Sequence, residues 1–169
     1  MALIGYLTII SGIFFGEMWI KNRIEESGTD AKGNVMKQRT EGEAPEPRTY
    51  RNGRILIRKY HNKGAMLNLG ERQRPVVAAV SVALSAVMAA VFVCSLGQRG
   101  NRLLRLGLSL LLGGAFSNTY DRLKRRYVVD YLTFNVRWKP LRRVVFNLSD
   151  FCILIGALLA VISVPDDVL

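Results

Sequence analysis

Acidic residues, cysteine and histidine are all scarce in this chain. Thirteen Asp and Glu stand against 24 Lys and Arg in 169 residues, a formal net charge of +11. The two cysteines, Cys94 and Cys152, both fall inside apolar runs, which argues against a disulfide framework or a Cys-rich metal site. The one histidine, His61, has no metal-ligand spacing around it and reads as a loop residue. It lies far in sequence from any Ser or Cys in an apolar run, which speaks against nucleophilic catalysis of the Ser–His or Cys–His kind. No metal and no cofactor is expected. No internal repeat is visible, and the length suits a single domain over 1–169.

What the chain has in quantity is apolar sequence: half of its residues are hydrophobic. A strongly basic chain can be that apolar only if the two classes are segregated, and here they are. Apolar runs alternate with loops crowded with Lys and Arg, whereas a soluble basic protein would spread its apolar residues at helical or strand periods. The basic residues flank these runs instead of forming a soluble face. Anionic membrane lipids are therefore the expected partner, and nucleic acid is not.

Crossing the hydrocarbon core of a bilayer takes about 20 mostly apolar residues. Four segments qualify, at about 2–20, 75–96, 103–120 and 144–164. The first contains one acid, Glu17, and lacks the basic start and small-x-small site of a cleaved signal peptide. The second has no charge and opens on Pro75, a residue suited to a helix start. The third carries Arg105 near one end, where it can snorkel. The fourth has Asn147 and Asp150 near its beginning and stops at Pro165.

The expected architecture is an integral membrane protein, mainly α, with four transmembrane helices and a small β-rich surface subdomain. Polar surface loops occupy 21–74 and 121–143. Within the first, 27–47 has no apolar periodicity and reads as a mobile loop. Asn52-Gly53, with the β-branched residues that follow it, is the signature of a β-hairpin closed by a type I′ turn. The second mixes basic residues with Tyr127, Tyr131, Phe134 and Trp138, and suits the membrane interface.

Polar residues at the edge of a membrane span are costly and so are candidates for function. Asn147 and Asp150 are three apart and share a helix face; Asn118, Asp121 and Arg122 do the same at the end of the third run. If the spans alternate in direction, Asp121, Asp130 and Asp150 converge on one membrane face. Two close carboxylates cannot both ionise easily, so one stays protonated and can polarise a carbonyl while the other draws a proton from water. The same acids could equally pair with Arg122, Arg125 or Arg126 and only fix helix ends. Spacing alone leaves both readings open.

Five motifs, in order, carry a resemblance. The run Gly113-Gly114-Ala115-Phe116-Ser117-Asn118-Thr119-Tyr120-Asp121-Arg122 resembles the GGALGNLxDR motif of bacterial lipoprotein signal peptidases. Val128-Val129-Asp130 resembles their VVD element, and Phe146-Asn147-Leu148-Ser149-Asp150 their FNxAD element. Asn62-Lys63-Gly64-Ala65 matches the beginning of NxGAAF, and Glu17 with Lys21 stands where that family has DxxxK.

The resemblance implies an aspartic endopeptidase, signal peptidase II, that cuts diacylglyceryl-modified prolipoproteins just before the lipidated cysteine. It implies Asp130 and Asp150 as the catalytic pair. Asn62, Gly64, Asn118, Asp121, Arg122 and Asn147 become substrate-binding or supporting residues, and Glu17 with Lys21 a structural i,i+4 ion pair. A multi-pass protein of the bacterial cytoplasmic membrane is implied, monomeric, with its catalytic face outside.

Charge counting opposes that orientation. The two loops that would lie outside, 21–74 and 121–143, hold 13 and 8 Lys and Arg, against three in 97–105. The motifs take precedence, because the charge rule describes insertion bias and folded outer loops can carry charge. The departures are Glu17 for Asp, Met66-Leu67 for Ala-Phe, Ser117 for Gly and Ser149 for Ala. The altered NxGAAF-like element motivates one alternative, an inactive relative that binds lipid or lipoprotein precursors without cutting them.

Overall fold

The computed structural model describes residues 2–26, 48–51, 53–65, 70–97 and 100–163. The expected loop at 27–47, Asn52, Met66-Leu67 and Pro165 lie outside the described residues. Four long or medium helices carry the apolar runs: α1 (Ala2–Glu26), α2 (Arg74–Leu96), α3 (Arg102–Lys124) and α5 (Leu148–Ile162). A short helix α4 (Lys139–Arg143) and strands β1 (Arg48–Tyr50), β2 (Ile55–Asn62) and β3 (Val128–Phe134) complete the chain.

The helix ends follow from local chemistry. Helix α1 runs past the expected end at residue 20 because Lys21, Arg23, Glu25 and Glu26 are good helix formers, with no Gly or Pro before Gly28. Pro75 sits in the first turn of α2, where its missing N–H costs nothing. Asn101 caps α3 by accepting from the Leu104 N–H at 3.0 Å. Helix α5 starts later than expected, at Leu148, because Asn147 is its N-cap. The Asn147 side chain accepts from the Asp150 N–H, and the Asp150 carboxylate accepts from the Asn147 N–H, each at 3.0 Å.

Helix α3 is the centre of the bundle and packs against α1, α2 and α5. Its glycines set those distances. A Cβ at Gly113 would lie 2.8 Å from Cβ of Ile13 on α1, and one at Gly114 only 2.5 Å from the Ser149 carbonyl oxygen on α5. Gly107 and Gly156 face each other further along, where a Cβ on Gly156 would lie 2.5 Å from the Gly107 carbonyl. Small residues thus let the two backbones touch. Gly114→Ala gains up to about 1 kcal/mol of helix propensity. Overpacking against a carbonyl that cannot rotate away costs about 1–3 kcal/mol and should win. A lower melting temperature of the purified variant in detergent is the expected result; an unchanged or higher one would show that α5 moves aside freely.

The buried apolar centre is small, built on Phe92, Leu108 and Leu112. Many large apolar side chains face outward instead, among them Ile4, Phe15, Leu84, Val93, Leu154 and Val161. An apolar surface this continuous belongs against lipid. Helices α1 and α2 are long and apolar enough to cross a bilayer. The other two expected spans differ. Helix α5 has 15 residues, a rise of about 22 Å, and α3 has the length but carries Arg105, Asn118, Asp121 and Arg122.

The strands form one antiparallel sheet in the order β1-β2-β3. The expected hairpin is present, with Tyr50 opposite Ile55, so its connection has four residues. The Arg54 N–H donates to the Arg51 carbonyl, and Gly53 takes the positive φ (79°) that the turn requires. The polar stretch 121–143 has regular structure along part of its length, with Val136 and Trp138 exposed beyond β3. Residues 121–124 finish α3, and β3 is a buried strand, with Val128, Val129, Asp130, Tyr131 and Thr133 all enclosed. Its β-branched and aromatic residues pair with β2 on one side and touch Phe146 on the other. His61 lies in β2, not in a loop; its Nε2 is 2.7 Å from Glu25 of α1 and its ring stacks on Tyr127.

Candidate active site

Two constraints bring Asp130 and Asp150 together. Strand β3 carries Asp130, and the Tyr131 and Leu132 N–H groups both donate to the Phe146 carbonyl, at 2.8 and 2.7 Å. Phe146 immediately precedes Asn147, the cap of α5, and Asp150 sits one turn further on. The strand and the first turn of α5 are thereby locked side by side.

Asn147 is the bridge between the acids. Its side-chain N–H donates to Asp130 Oδ1 at 2.7 Å, its side-chain oxygen caps the Asp150 N–H, and its own backbone N–H donates to Asp150 Oδ2. Each carboxylate has a second amide donor. Asn62 on β2 donates to Asp130 Oδ2 at 3.0 Å, and Asn118 on α3 donates to Asp150 Oδ1 at 3.0 Å. Tyr60 is the strand partner of Asp130, so Asn62, two residues on, shares the face from which it reaches that carboxylate diagonally.

Burial raises the Asp130 carboxyl to about 7, and the charge of Asp150 adds to the rise; the donors Asn62 and Asn147 oppose it and lose. Near neutral pH the pair can therefore hold one proton. A pair of carboxyls sharing one proton can activate water with one member and polarise a carbonyl with the other.

A second layer stands behind the pair. Lys21 and Glu17 are fully buried, not a surface ion pair worth tenths of a kcal/mol. The nearest acid to Lys21 Nζ is Asp121, at 3.0 Å, and Glu17 is 3.8 Å away. The same ammonium donates to Asn118 Oδ1 at 2.8 Å and to Ser117 Oγ at 3.2 Å. An ammonium can only donate, so it holds the Asn118 oxygen toward itself and turns the amide N–H₂ toward Asp150. Asp121 touches neither Asp130 nor Asp150. It takes Lys21, Arg125 at 3.2 Å and the Val129 N–H at 3.3 Å.

Glu17 serves α5. Its carboxylate accepts from the Tyr131 hydroxyl at 2.9 Å and from the Ser149 N–H at 3.3 Å, while the Tyr131 oxygen accepts from the Leu148 N–H at 3.2 Å. The free N–H groups of the first turn of α5 are satisfied and its positive end faces an acid. Burial and the Glu17 charge raise Tyr131 and keep it a proton donor. Gly64 and Arg122 complete the surround. Gly64 donates its N–H to Asn62 Oδ1 at 3.1 Å, and Arg122 donates to the carbonyls of Gly64 and Asn118 at 3.3 and 3.4 Å.

All the site residues expected from the sequence thus lie in two contiguous layers: Asp130, Asp150, Asn62, Asn118 and Asn147 in front, Glu17, Lys21 and Asp121 behind, Gly64 and Arg122 beside them. Tyr131 and Ser117 were missed as participants. Tyr131 stands next to Asp130, yet nothing local marks its partner on α1. Ser117 drew notice only as a bulkier replacement for glycine, and it proves to be an acceptor for Lys21.

Comparison with known proteins places the chain in a family. The family described as signal peptidase (SPase) II matches residues 9–165. A lipoprotein signal peptidase of Alteromonas mediterranea is 36% identical over 110 residues, covering 61% of this chain and 57% of that protein. One of Moorella thermoacetica is 37% identical over 99 residues, covering 59% and 61%. These matches span less than two thirds of either relative. A lipoprotein signal peptidase of Caldicellulosiruptor bescii is 30% identical over 156 residues, covering 91% of this chain and 86% of that one. A bacterial membrane enzyme solved by the in meso method at 2.3 Å resolution shares the fold, with a TM-score of 0.71 at 18% identity over 94% of this chain and 86% of that chain.

Proposed function

Because the chain belongs to the signal peptidase II family, we propose that it is an aspartic endopeptidase that removes the signal peptide of diacylglyceryl-modified prolipoproteins before the lipidated cysteine. The observation that carries this reading is the Asn147 bridge, which holds two buried carboxyls together; burial pushes one of them, Asp130, up to about 7. In this reading Asp130 is the protonated member and Asp150, held by N–H donors of Asn147 and Asn118, the ionised one.

The reaction follows from those states. A water between the carboxyls gives a proton to Asp150 as its oxygen attacks the scissile carbonyl, and Asp130 gives its proton to the carbonyl oxygen. The tetrahedral diol then collapses: Asp150 protonates the leaving nitrogen, and the proton returns to Asp130 from the diol. The C–N bond breaks, one water is consumed and the shared proton is restored. Asn62, Asn118 and Asn147 hold the carboxyls in place, and Gly64 and Arg122 flank the substrate. The proposed single domain, 1–169, crosses the bacterial cytoplasmic membrane four times as a monomer, with polar α3 at the centre of the bundle, short α5 turning Leu154 and Val161 toward lipid, and the site at the outer surface.

Cleavage of a diacylglyceryl-modified precursor by the purified protein in detergent or lipid tests the reading; failure on several lipidated precursors that it nonetheless binds would favour the binding-only alternative. The pH profile tests the proton assignment. Activity needs Asp130 protonated, so kcat/KM should fall about tenfold per pH unit above roughly 7, because only the protonated fraction acts. A profile flat from pH 6 to 9 would refute that role for Asp130.

A further inference from the structure

Beside the carboxyl pair lies a cavity of about 210 Å³ whose walls, among the described residues, include four cationic side chains, Lys63, Arg74, Arg122 and Arg126, and no acid. They come from three places in the chain: the end of β2, the first turn of α2, and the C-terminal end of α3 with the residues after it. Arg122 spends part of its charge on the acids behind it. Arg74 and Arg126 are exposed.

Three features make this an anion site and not a solvated basic face. Like charges that converge on one concavity repel each other unless a counter-charge sits between them. The N-terminus of the 23-residue helix α2 opens here and adds its positive end to the same space. Arg126, one residue past the Arg125 cap, takes the left-handed backbone (φ 67°) that ends α3, and that turn brings its side chain to the same wall. The other wall is apolar, Pro75 and Val77, and it continues along α2 as an exposed stripe of Val76, Val80, Leu84 and Val87. Charge at the head of a helix with apolar surface below it fits an amphiphile.

We propose that this cavity binds the phosphate of an anionic membrane phospholipid, with the acyl chains lying along α2. The prolipoprotein thioether lipid carries no phosphate, so this lipid is a second ligand beside the substrate. It neutralises the rim of the catalytic site next to Arg122.

The test reads binding, so its outcome is separate from that of any cleavage assay. The thermal midpoint of the purified full chain in neutral detergent is followed while short-chain phosphatidylglycerol, phosphatidylcholine of the same chain length, or sodium phosphate is added. Phosphatidylglycerol should raise the midpoint saturably, with little effect from the other two. Arg126→Gly removes one cation while suiting the left-handed backbone, so this variant should fold. With Arg74→Gln added, the apparent affinity for phosphatidylglycerol should drop at least fivefold. An equal shift with phosphatidylcholine would reduce the site to an apolar groove. An equal shift with inorganic phosphate would make it a free-anion site, and an unchanged affinity in the double variant would place the lipid elsewhere; each overturns the proposal.

Discussion

Asp130→Asn and Asp150→Asn should each lower turnover of a lipidated precursor by at least about 10³-fold, the scale on which proton transfer by a positioned group and its electrostatic partner act together. The two losses should not add, because a carboxyl pair sharing one proton fails as a unit when either member is neutral at all pH values. A double variant no worse than either single one is therefore the sharper result. Near wild-type turnover in both single variants would remove the pair from the chemistry and leave Asp121 as the next acid to test.

Loss of activity through misfolding can be told apart by stability. The Asp130 carboxyl sits at about 7 in the fold against an ordinary 3.8. Between those values the native protein binds more protons than the unfolded chain, so wild-type stability should decline as pH rises through that window. The whole decline is at most roughly 4 kcal/mol, since each pH unit between the two values contributes about 1.36 kcal/mol. Asp130→Asn cannot titrate and should lack this component. Midpoints measured from pH 4 to 8 should slope downward in wild type and less so in the variant. Parallel slopes would mean that Asp130 is not the group burdened by burial.

Lys21→Met should be the most destabilising single change near the site, by about 3–5 kcal/mol, the cost of leaving a buried charge without its partner. The ammonium is fully enclosed and serves Asp121, Glu17, Asn118 and Ser117 together. Methionine fills the space but leaves the buried Glu17 carboxylate without its cation and Asp121 with Arg125 alone. It also frees the Asn118 amide to turn its oxygen toward Asp150, so activity should fall with stability. Glu17→Gln in the Lys21→Met background should recover part of the loss by removing the charge left without its cation. A Lys21→Met protein within about 1 kcal/mol of wild type would mean that water enters the cluster and that Lys21 is not its support.

Two departures from the family pattern have physical readings here. Glu17, one methylene longer than Asp, accepts from both the Tyr131 hydroxyl and the Ser149 N–H, which belong to different elements. Ser117 is fully buried, and its hydroxyl accepts from Lys21 where glycine would offer nothing. Both changes add contacts to the second layer and leave the front layer alone.

The sequence by itself determined the helical runs, the basic loops between them and the hairpin, and its motifs named the candidates for the site. Segregation of apolar and charged residues acts over one turn or one strand, and the motifs occur in the family's order. It also put Asp121, Asp130 and Asp150 at one end of the bundle, because antiparallel neighbours bring the end of α3 and the start of α5 to the same side. Only the tertiary structure decided which two of those acids share donors and which one turns away to Lys21. It likewise decided that Glu17 answers mainly to Tyr131 and Ser149, partners 114 and 132 residues away. Spacing along a helix names neighbours three and four residues apart. Partners across the bundle depend on how closely α1 and α5 approach α3, and Gly113 and Gly114 set that distance through contacts that no local pattern encodes.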